Sequence, residues 1–368
     1  QQQAAGTPGQ TTVTVTQTTY DTQGRVIKTE KKLSNTQVNG NTMSDLTTVT
    51  TMEYDELGQL RKKKPGSKKD PATGTYYSPR QPLEEMAYDY NIRGWLLGIN
   101  KDYITGTSNS DRYFGFELGY DQDPSIGSYA HKEYNGNISG VLWKSEGDQQ
   151  KRKYDFSYDA ANRLLKADFN QQAGGAGFDK SAGIDFSLGG DPATGGAMKY
   201  DANGNITEMW QTGLQLASSA VIDKLNYTYL NENSSNRLVK VTDGVAGADN
   251  GKLGDFKDGA NPGDDYAYDA NGNLQYDHNK AISSITYNHL NLPAVITVTG
   301  KGAITYLYDA AGNKLKKVIV EAPSTTNGNK TITTTTTYCS GLVYESRTIS
   351  PADPNRPDYT DKLLFAGH

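Results

Sequence analysis

The sequence predicts an all-β fold built from tandem hairpins, and three observations carry that prediction. The first is a recurring seven-residue word: Tyr200-Asp201-Ala202-Asn203-Gly204-Asn205-Ile206, Tyr268-Asp269-Ala270-Asn271-Gly272-Asn273-Leu274 and Tyr308-Asp309-Ala310-Ala311-Gly312-Asn313-Lys314. Each copy reads as a strand end, a turn and a strand start. An Asp at the first turn position accepts a hydrogen bond from the backbone two residues on, and a Gly at the fourth takes the positive φ that closes a hairpin through a bulge. The second observation is composition: 25 Tyr against 8 Phe and 3 Trp, with 39 Gly. Tyrosine suits a half-wet sheet, because its ring packs while its hydroxyl finds water or a backbone partner. The third is a low apolar content, 35% hydrophobic residues and a mean hydropathy of −0.71 over 368 residues. A single large core would be thin at this composition, whereas repeats need only pack on their neighbours.

Residues 1–10 read as an unpatterned tail, and Gln1-Gln2-Gln3 as either a processed end or an arbitrary boundary. Thr11 to Thr19 alternates Thr with Val13 and Val15, as a strand does. Tyr20-Asp21-Thr22-Gln23-Gly24-Arg25-Val26 is the first copy of the turn word, followed by a strand through Lys32. Leu46 to Glu53 leads into a second, Tyr54-Asp55-Glu56-Leu57-Gly58-Gln59-Leu60. The basic run Arg61 to Lys69 reads as a solvated loop after that hairpin, since no aromatics interleave with its lysines. Tyr88 to Leu96 reads as a lengthened turn with its Gly two places late, and Tyr134 to Ile138 as a shortened copy. Tyr113 to Tyr120, Val141 to Lys144 and Lys153 to Tyr158 read as strands.

In Tyr158 to Leu164, Asn162 stands where Gly is expected, and Asn291 does the same in Tyr287 to Pro293. Asparagine is the next-best residue in a left-handed position. Residues 171–196, rich in Gly and Ala, read as an irregular insertion with room for one short strand at Ile184 to Leu188. A looser unit runs from Tyr227 and Tyr229 to Leu238, and Thr242 to Asp265 reads as a second Gly/Asp-rich loop. Tyr268, Tyr287 and Tyr308 are spaced by about twenty residues, the length of two strands and two turns. This favours a two-strand unit over the four-strand blade of a β-propeller. Thr331 to Tyr338 and Leu342 to Tyr344 form one more hairpin, and the end from Thr331 to Phe365 is expected to present an open sheet edge. The domains expected are thus the tail (1–10), a divergent repeat region (11–170), the insertion (171–196) and a second repeat region (197–368) continuous with the first.

At these residues the chain resembles the RHS/YD-repeat family, whose motif is Tyr-Asp, two or so variable residues, Gly, Asn or Arg, then an aliphatic residue. Good matches begin at Tyr20, Tyr54, Tyr200, Tyr268 and Tyr308, and weaker ones at Tyr88, Tyr134, Tyr158, Tyr229 and Tyr287. The motif positions that carry the match are Asp21 and Gly24, Asp55 and Gly58, Asp201 and Gly204, Asp269 and Gly272, and Asp309 and Gly312. The stretch from Tyr90 through Ser139 to Asp159 is similar to one common in large bacterial surface and secreted members. The resemblance implies a long β-ribbon wound into a spiral shell, of which this chain would form part. In bacterial toxins of the family the shell holds a C-terminal polypeptide, and toxin-complex components and extracellular teneurins use the same kind of shell. Members that process themselves cut after the last core repeat at paired Asp residues. This sequence runs instead to Leu363-Leu364-Phe365-Ala366-Gly367-His368 without a recognisable block of that kind, so no protease residue is carried over.

The remaining chemistry is sparse. A net charge of −5 does not point to nucleic acid. The single Cys339 excludes an internal disulfide framework and a cysteine zinc site. No apolar run approaches a membrane span. His131, His278, His289 and His368 lack zinc-type spacing, and Asp201 to Asn205 lacks the Gly and Glu that a calcium loop needs. No phosphate loop or nucleophile elbow is present, and a glycosidase-like carboxylate pair is not singled out among many acidic residues. The expectation is a non-catalytic scaffold without cofactor or metal, secreted or on a bacterial cell surface, whose partner is its own C-terminal cargo or another protein. The alternative is an adhesion module in which Trp95, Trp143 or Trp210 stacks on carbohydrate, against the simpler reading that each Trp plugs the sheet.

Overall fold

The computed structural model describes residues 11–106, 112–175, 177–215, 218–245, 254–259 and 262–366; the expected tail (1–10) and His368 lie outside them. Among the described residues nearly every regular element is an antiparallel strand, as the period-two patterning requires. The first sheet follows the chain through β1 (Thr12–Tyr20), β2 (Val26–Asn35), β3 (Thr47–Tyr54), β4 (Leu60–Pro65), β5 (Met86–Tyr90) and β6 (Leu96–Ile99). After the short helix α1 (Lys101–Thr105) it continues through β7 (Phe114–Gly119), β8 (Gly140–Ser145), β9 (Lys151–Tyr158) and β10 (Leu164–Gln172). Four further strands follow: β11 (Phe178–Asp179), β12 (Leu188–Gly189), β13 (Lys199–Tyr200) and β14 (Ile206–Gln215). β12 lies between β10 and β14, while β11 pairs with β10 and β13 with β14; β15 (Ser218–Tyr229) and β16 (Leu238–Asp243) complete the sheet.

The second sheet is a meander of β17 (Tyr266–Tyr268), β18 (Leu274–Asp277), β19 (Ile282–Tyr287), β20 (Pro293–Val298) and β21 (Gly302–Tyr308), then β22 (Lys314–Glu321), β23 (Thr331–Cys339), β24 (Leu342–Ser350) and β25 (Tyr359–Ala366). Among the described residues neither sheet closes on itself, and β25 is an edge strand, as expected of the Thr331 to Phe365 end. The chain forms two compact units, Thr11–Leu225 with Gly244–Asp255, and Asn226–Asp243 with Phe256–His368.

The ribbon expected as one continuous sheet is hydrogen-bonded as two. The break falls between β16 and β17, in the second unit, where the loop ending at Asp265 interposes. Asp265 there takes the place of a strand partner. Its backbone N–H donates to the Val239 carbonyl (2.8 Å), and its buried carboxylate accepts the Val241 N–H (2.8 Å).

Four local expectations are corrected. The turn expected from Tyr88 begins at Tyr90 instead: Tyr90 pairs with Leu96, Gly94 has a φ of 80°, and Asn91 replaces the Asp, so the unit has ordinary length. Tyr134 ends no strand and is 71% exposed. The hairpin of that region joins β7 to β8 through Gly119 and Gly140, so its tyrosine is Tyr120 and residues 121–139 form an enlarged turn. The insertion holds two short strands, Phe178–Asp179 and Leu188–Gly189, rather than one across Ile184 to Leu188. Finally, Arg61 to Lys64 is strand, not loop. Its lysines are paired across the sheet, Lys62 with Glu85 (2.8 Å) and Lys64 with Glu53 (2.5 Å) and Glu85 (3.4 Å).

The first unit buries Ile104, Leu142 and Phe169 almost completely. Trp143 stacks on Tyr154 at 5.5 Å between centroids, and Phe169 meets Tyr154 (5.4 Å) and Phe186 (5.3 Å) edge-on, geometries that favour aromatic pairs. Asn100, also buried, joins β5 to β7 by accepting from Ala87 N–H (2.8 Å) and donating to the Phe114 carbonyl (2.9 Å). In the second unit Val239, Val241, Ile332, Tyr344 and Ile349 are buried.

Candidate functional site: the tyrosine–aspartate turns

The turn words that close hairpins fold in the same way, and in most of them the reason lies in one carboxylate. In the Tyr200 copy, Asp201 Oδ1 accepts the N–H groups of Asn203 and Asn205 (2.9 Å each), and Oδ2 accepts the Asn205 side-chain amide (2.8 Å). The Gly204 N–H closes the turn on the Asp201 carbonyl (3.1 Å) at a φ of 88°. The copies at Asp21, Asp159, Asp269 and Asp309 repeat this pattern, with Arg25 or Arg163 replacing Asn beside the second oxygen in two of them. Asp55 accepts the Gln59 N–H (2.8 Å) and lies beside Gly58 at a φ of 82°. Asn91 and Asn288 do the same work with an amide oxygen. A one-residue register shift accompanies each closure, so Tyr20 faces Val26, Tyr54 Leu60, Tyr200 Ile206, Tyr268 Leu274 and Tyr308 Lys314 directly across the hairpin. Tyrosine and the residue at the seventh position, aliphatic in four of these five copies, therefore share one face.

The tyrosines then link one hairpin to the one before it. The Tyr54 hydroxyl donates to the Val26 carbonyl (3.0 Å), Tyr120 to Leu96 (3.2 Å), Tyr158 to Ile138 (2.8 Å) and Tyr200 to Leu164 (2.6 Å). In the second unit Tyr268 donates to Leu238 (2.9 Å), Tyr287 to Leu274 (2.8 Å) and Tyr308 to Pro293 (3.1 Å). Apart from Ile138, which precedes β8 by two residues, every acceptor lies where the return strand of an earlier hairpin begins. Tyr268 reaches Leu238 across the place where the strand ladder is interrupted. Burial raises the phenol pKa of Tyr120, Tyr158, Tyr200, Tyr268, Tyr287 and Tyr308, which keeps these hydroxyls protonated donors.

The turn edges are tied as well. Asn162, at a φ of 62°, accepts amide bonds from Asn135 (2.7 Å) and Asn137 (3.0 Å), and Asn291, at 57°, accepts from Asn271 and Asn273 (3.1 Å each). Asparagine thus supplies the left-handed conformation and an acceptor for the preceding turn. Arg25 lies over the Tyr54 ring and Arg163 over Tyr200, both at 4.7 Å.

This arrangement occupies the carboxylates of the turns. The backbone N–H of Arg25 lowers the pKa of Asp21, and that of Arg163 lowers Asp159. The side-chain amides of Asn273 and Asn313 lower Asp269 and Asp309. For Asp201 desolvation acts in the opposite direction, but the Asn205 side chain and the surrounding N–H groups outweigh it. These are carboxylates held ionised as acceptors, the reverse of a raised general acid. A cavity of about 190 Å³ in the first unit brings Trp210 near Asp168 and Asp185, where Lys180 pairs with both carboxylates (3.2 and 2.8 Å). Lys224 lies over the Trp210 ring at 4.6 Å, and Arg93 over Trp95 at 5.0 Å with Tyr120 beside it at 5.2 Å.

The tight copies expected from sequence, at Tyr20, Tyr54, Tyr200, Tyr268 and Tyr308, all occupy hairpin turns. What sequence reasoning missed is Tyr120, whose Tyr120-Asp121 pair was the available signal, and the main-chain acceptors, which carry no side-chain signature.

No family model matches this sequence, and no curated protein does. Among solved structures the chain is similar to the crystal structure of TcdB2-TccC3-Cdc42, with a TM-score of 0.39 and 16% identity over 91% of this chain. It is likewise similar to those of TcdB2-TccC3 (0.38, 15%, 94%) and TcdB2-TccC3-TEV (0.36, 15%, 90%). It spans only 17%, 17% and 16% of the length of those chains, respectively.

Proposed function

We propose that this chain is a non-catalytic scaffold, a segment of an RHS-type β-shell wall that encloses or presents a C-terminal polypeptide on a secreted or cell-surface bacterial protein. The observation that carries this reading is the series of tyrosine hydroxyls, each bonded to a carbonyl at or just before the start of an earlier hairpin's return strand. Such a series makes successive hairpins mechanically continuous, which a wall needs and a catalytic cleft does not. The repeat carboxylates support it, because they bond within their own turns rather than converging on a shared space. No helix among the described residues is long and apolar enough to cross a membrane. Limited proteolysis of the complete gene product tests the proposal. A C-terminal polypeptide cut markedly more slowly beside the wall than when expressed alone supports it; equal cutting rates contradict it.

A further inference from the structure

The sixth residue of the turn word serves the second carboxylate oxygen of its own aspartate, and in two copies it also reaches the next tyrosine. In the first hairpin Arg25 Nε donates to Asp21 Oδ2 (2.6 Å), and the same guanidinium lies over the Tyr54 ring at 4.7 Å. Arg163 repeats both contacts, with Asp159 (2.6 Å) and with Tyr200 (4.7 Å). A carboxylate and the face of a phenol thus hold one guanidinium between them, a pairing that suits its planar charge. Where the sixth residue is Asn205, Asn273 or Asn313, its side-chain amide fills that second oxygen instead.

The Tyr54 copy departs from this pattern. Its sixth residue, Gln59, gives Asp55 Oδ1 its backbone N–H (2.8 Å) but sends its side chain to the next turn, where Nε2 would stand 3.1 Å from a Cβ at Gly94. Among the described residues Asp55 Oδ2 and the Tyr90 hydroxyl make no hydrogen bond, and no cation lies over the Tyr90 ring. Burial raises the Tyr90 phenol pKa and the Asp55 charge raises it further, which places that carboxylate near the ring. A cavity of about 470 Å³ opens here, lined by Asp55, Gln59 and Tyr90 together with Glu56, Asp89 and Arg61. Three carboxylates against one guanidinium leave its lining anionic. The strands beneath it, β4 and β5, are joined only at Lys62 with Ala87 and Lys63 with Met86. Asp55 and Tyr90 thus correspond to Asp21 and Tyr54 without the arginine that joins those two.

We propose that the cleft between Asp55 and Tyr90 binds the guanidinium of an arginine side chain on a partner polypeptide, held as the chain holds its own Arg25 and Arg163. Asp55 Oδ2 accepts from the guanidinium N–H groups while the Tyr90 ring lies against its plane, and Glu56 and Asp89 add attraction. A lysine fits less well, because an ammonium has no plane to lay on the ring. Leu57, on the cleft wall, is 84% exposed, and Ile92, two residues beyond Tyr90, is fully exposed. Residues on either side of the bound arginine cover this apolar surface, a gain that free arginine lacks. The inference goes beyond the wall reading and does not depend on it.

Amide chemical shifts of the full chain, followed by NMR during titration with acetyl-Leu-Arg-Leu-amide at low salt, test it. Saturable shifts centred on residues 55–59 and 88–95 are expected. Citrulline in place of the arginine keeps the shape but removes the charge, and should weaken binding by about tenfold or more. Lysine in that place, and free arginine, should also bind more weakly. Gln59→Arg supplies the guanidinium from within the chain, as Arg25 does, so binding is expected to be lost with the fold intact. Asp55→Asn keeps the turn, because Asn91 and Asn288 hold theirs with an amide oxygen, and is expected to lose binding as well. The proposal is overturned if no shift saturates, if the citrulline peptide, the lysine peptide or free arginine binds as tightly, or if either variant binds like the wild type.

Discussion

Glycine and asparagine hold the same backbone conformation in these turns by different means. Gly312, at a φ of 85°, needs only the absence of a side chain, and an added Cβ would stand 3.3 Å from Leu292 Cδ1. Gly312→Ala is expected to cost about 1–2 kcal/mol, the penalty of a left-handed L-residue, seen as a lower urea midpoint. Asn291 occupies the corresponding position at 57° but also accepts two amide bonds from the preceding turn. Asn291→Gly therefore relieves a small conformational cost and removes both bonds. The expected outcome is net destabilisation by about 1 kcal/mol, since each bond contributes roughly 0.5–1.5 kcal/mol and asparagine tolerates this region well. A raised midpoint would show that the amide bonds contribute nothing.

Within one hairpin, the Asp that organises the turn also sets its response to acid. The folded pKa values of Asp21, Asp159, Asp201, Asp269 and Asp309 lie below the ordinary 3.8. A carboxylate with a depressed folded pKa binds its proton more readily in the unfolded chain. Its contribution is therefore complete above the unfolded value and disappears as pH falls from there through the folded value. Stability against urea should fall below about pH 4, and Asp309→Asn should make that fall shallower, because the variant lacks the charged contribution already at pH 7. Asn91 and Asn288 already fill this role as neutral acceptors. An unchanged acid slope in Asp309→Asn would remove this turn from the account.

The turns were legible in sequence because Asp, Gly and Asn announce their own backbone geometry. Legibility failed where two tyrosines lay close together, as with Tyr88 and Tyr90, and where an enlarged turn separated Tyr120 from its return strand. It also failed at β4, because a run of lysines looks solvated until Glu53 and Glu85 are brought beside it from other parts of the chain.

Across the whole molecule, the links between hairpins matter more than any one turn. They were invisible in sequence because a tyrosine that bonds water and one that bonds the carbonyl of Leu164 are the same letter. Between β16 and β17, where the ladder is interrupted among the described residues, the bonds to β16 come from Asp265, which no repeat motif marks. Asp265→Ala leaves the buried Val241 N–H without its carboxylate partner and is expected to cost about 1–3 kcal/mol. Faster amide exchange at Val241 is the measurement, and exchange unchanged from wild type would contradict it.

The most direct test of the central claim is a Tyr→Phe scan read by equilibrium urea unfolding. Phenylalanine at Tyr54, Tyr158, Tyr200, Tyr268, Tyr287 or Tyr308 removes only the hydroxyl that joins neighbouring hairpins, and each variant should lose about 0.5–1.5 kcal/mol. The same change at the exposed Tyr113 or Tyr134 should leave stability as it was. Equal effects in the two groups, or none in the first, would contradict a stack of hairpins held together through its tyrosines.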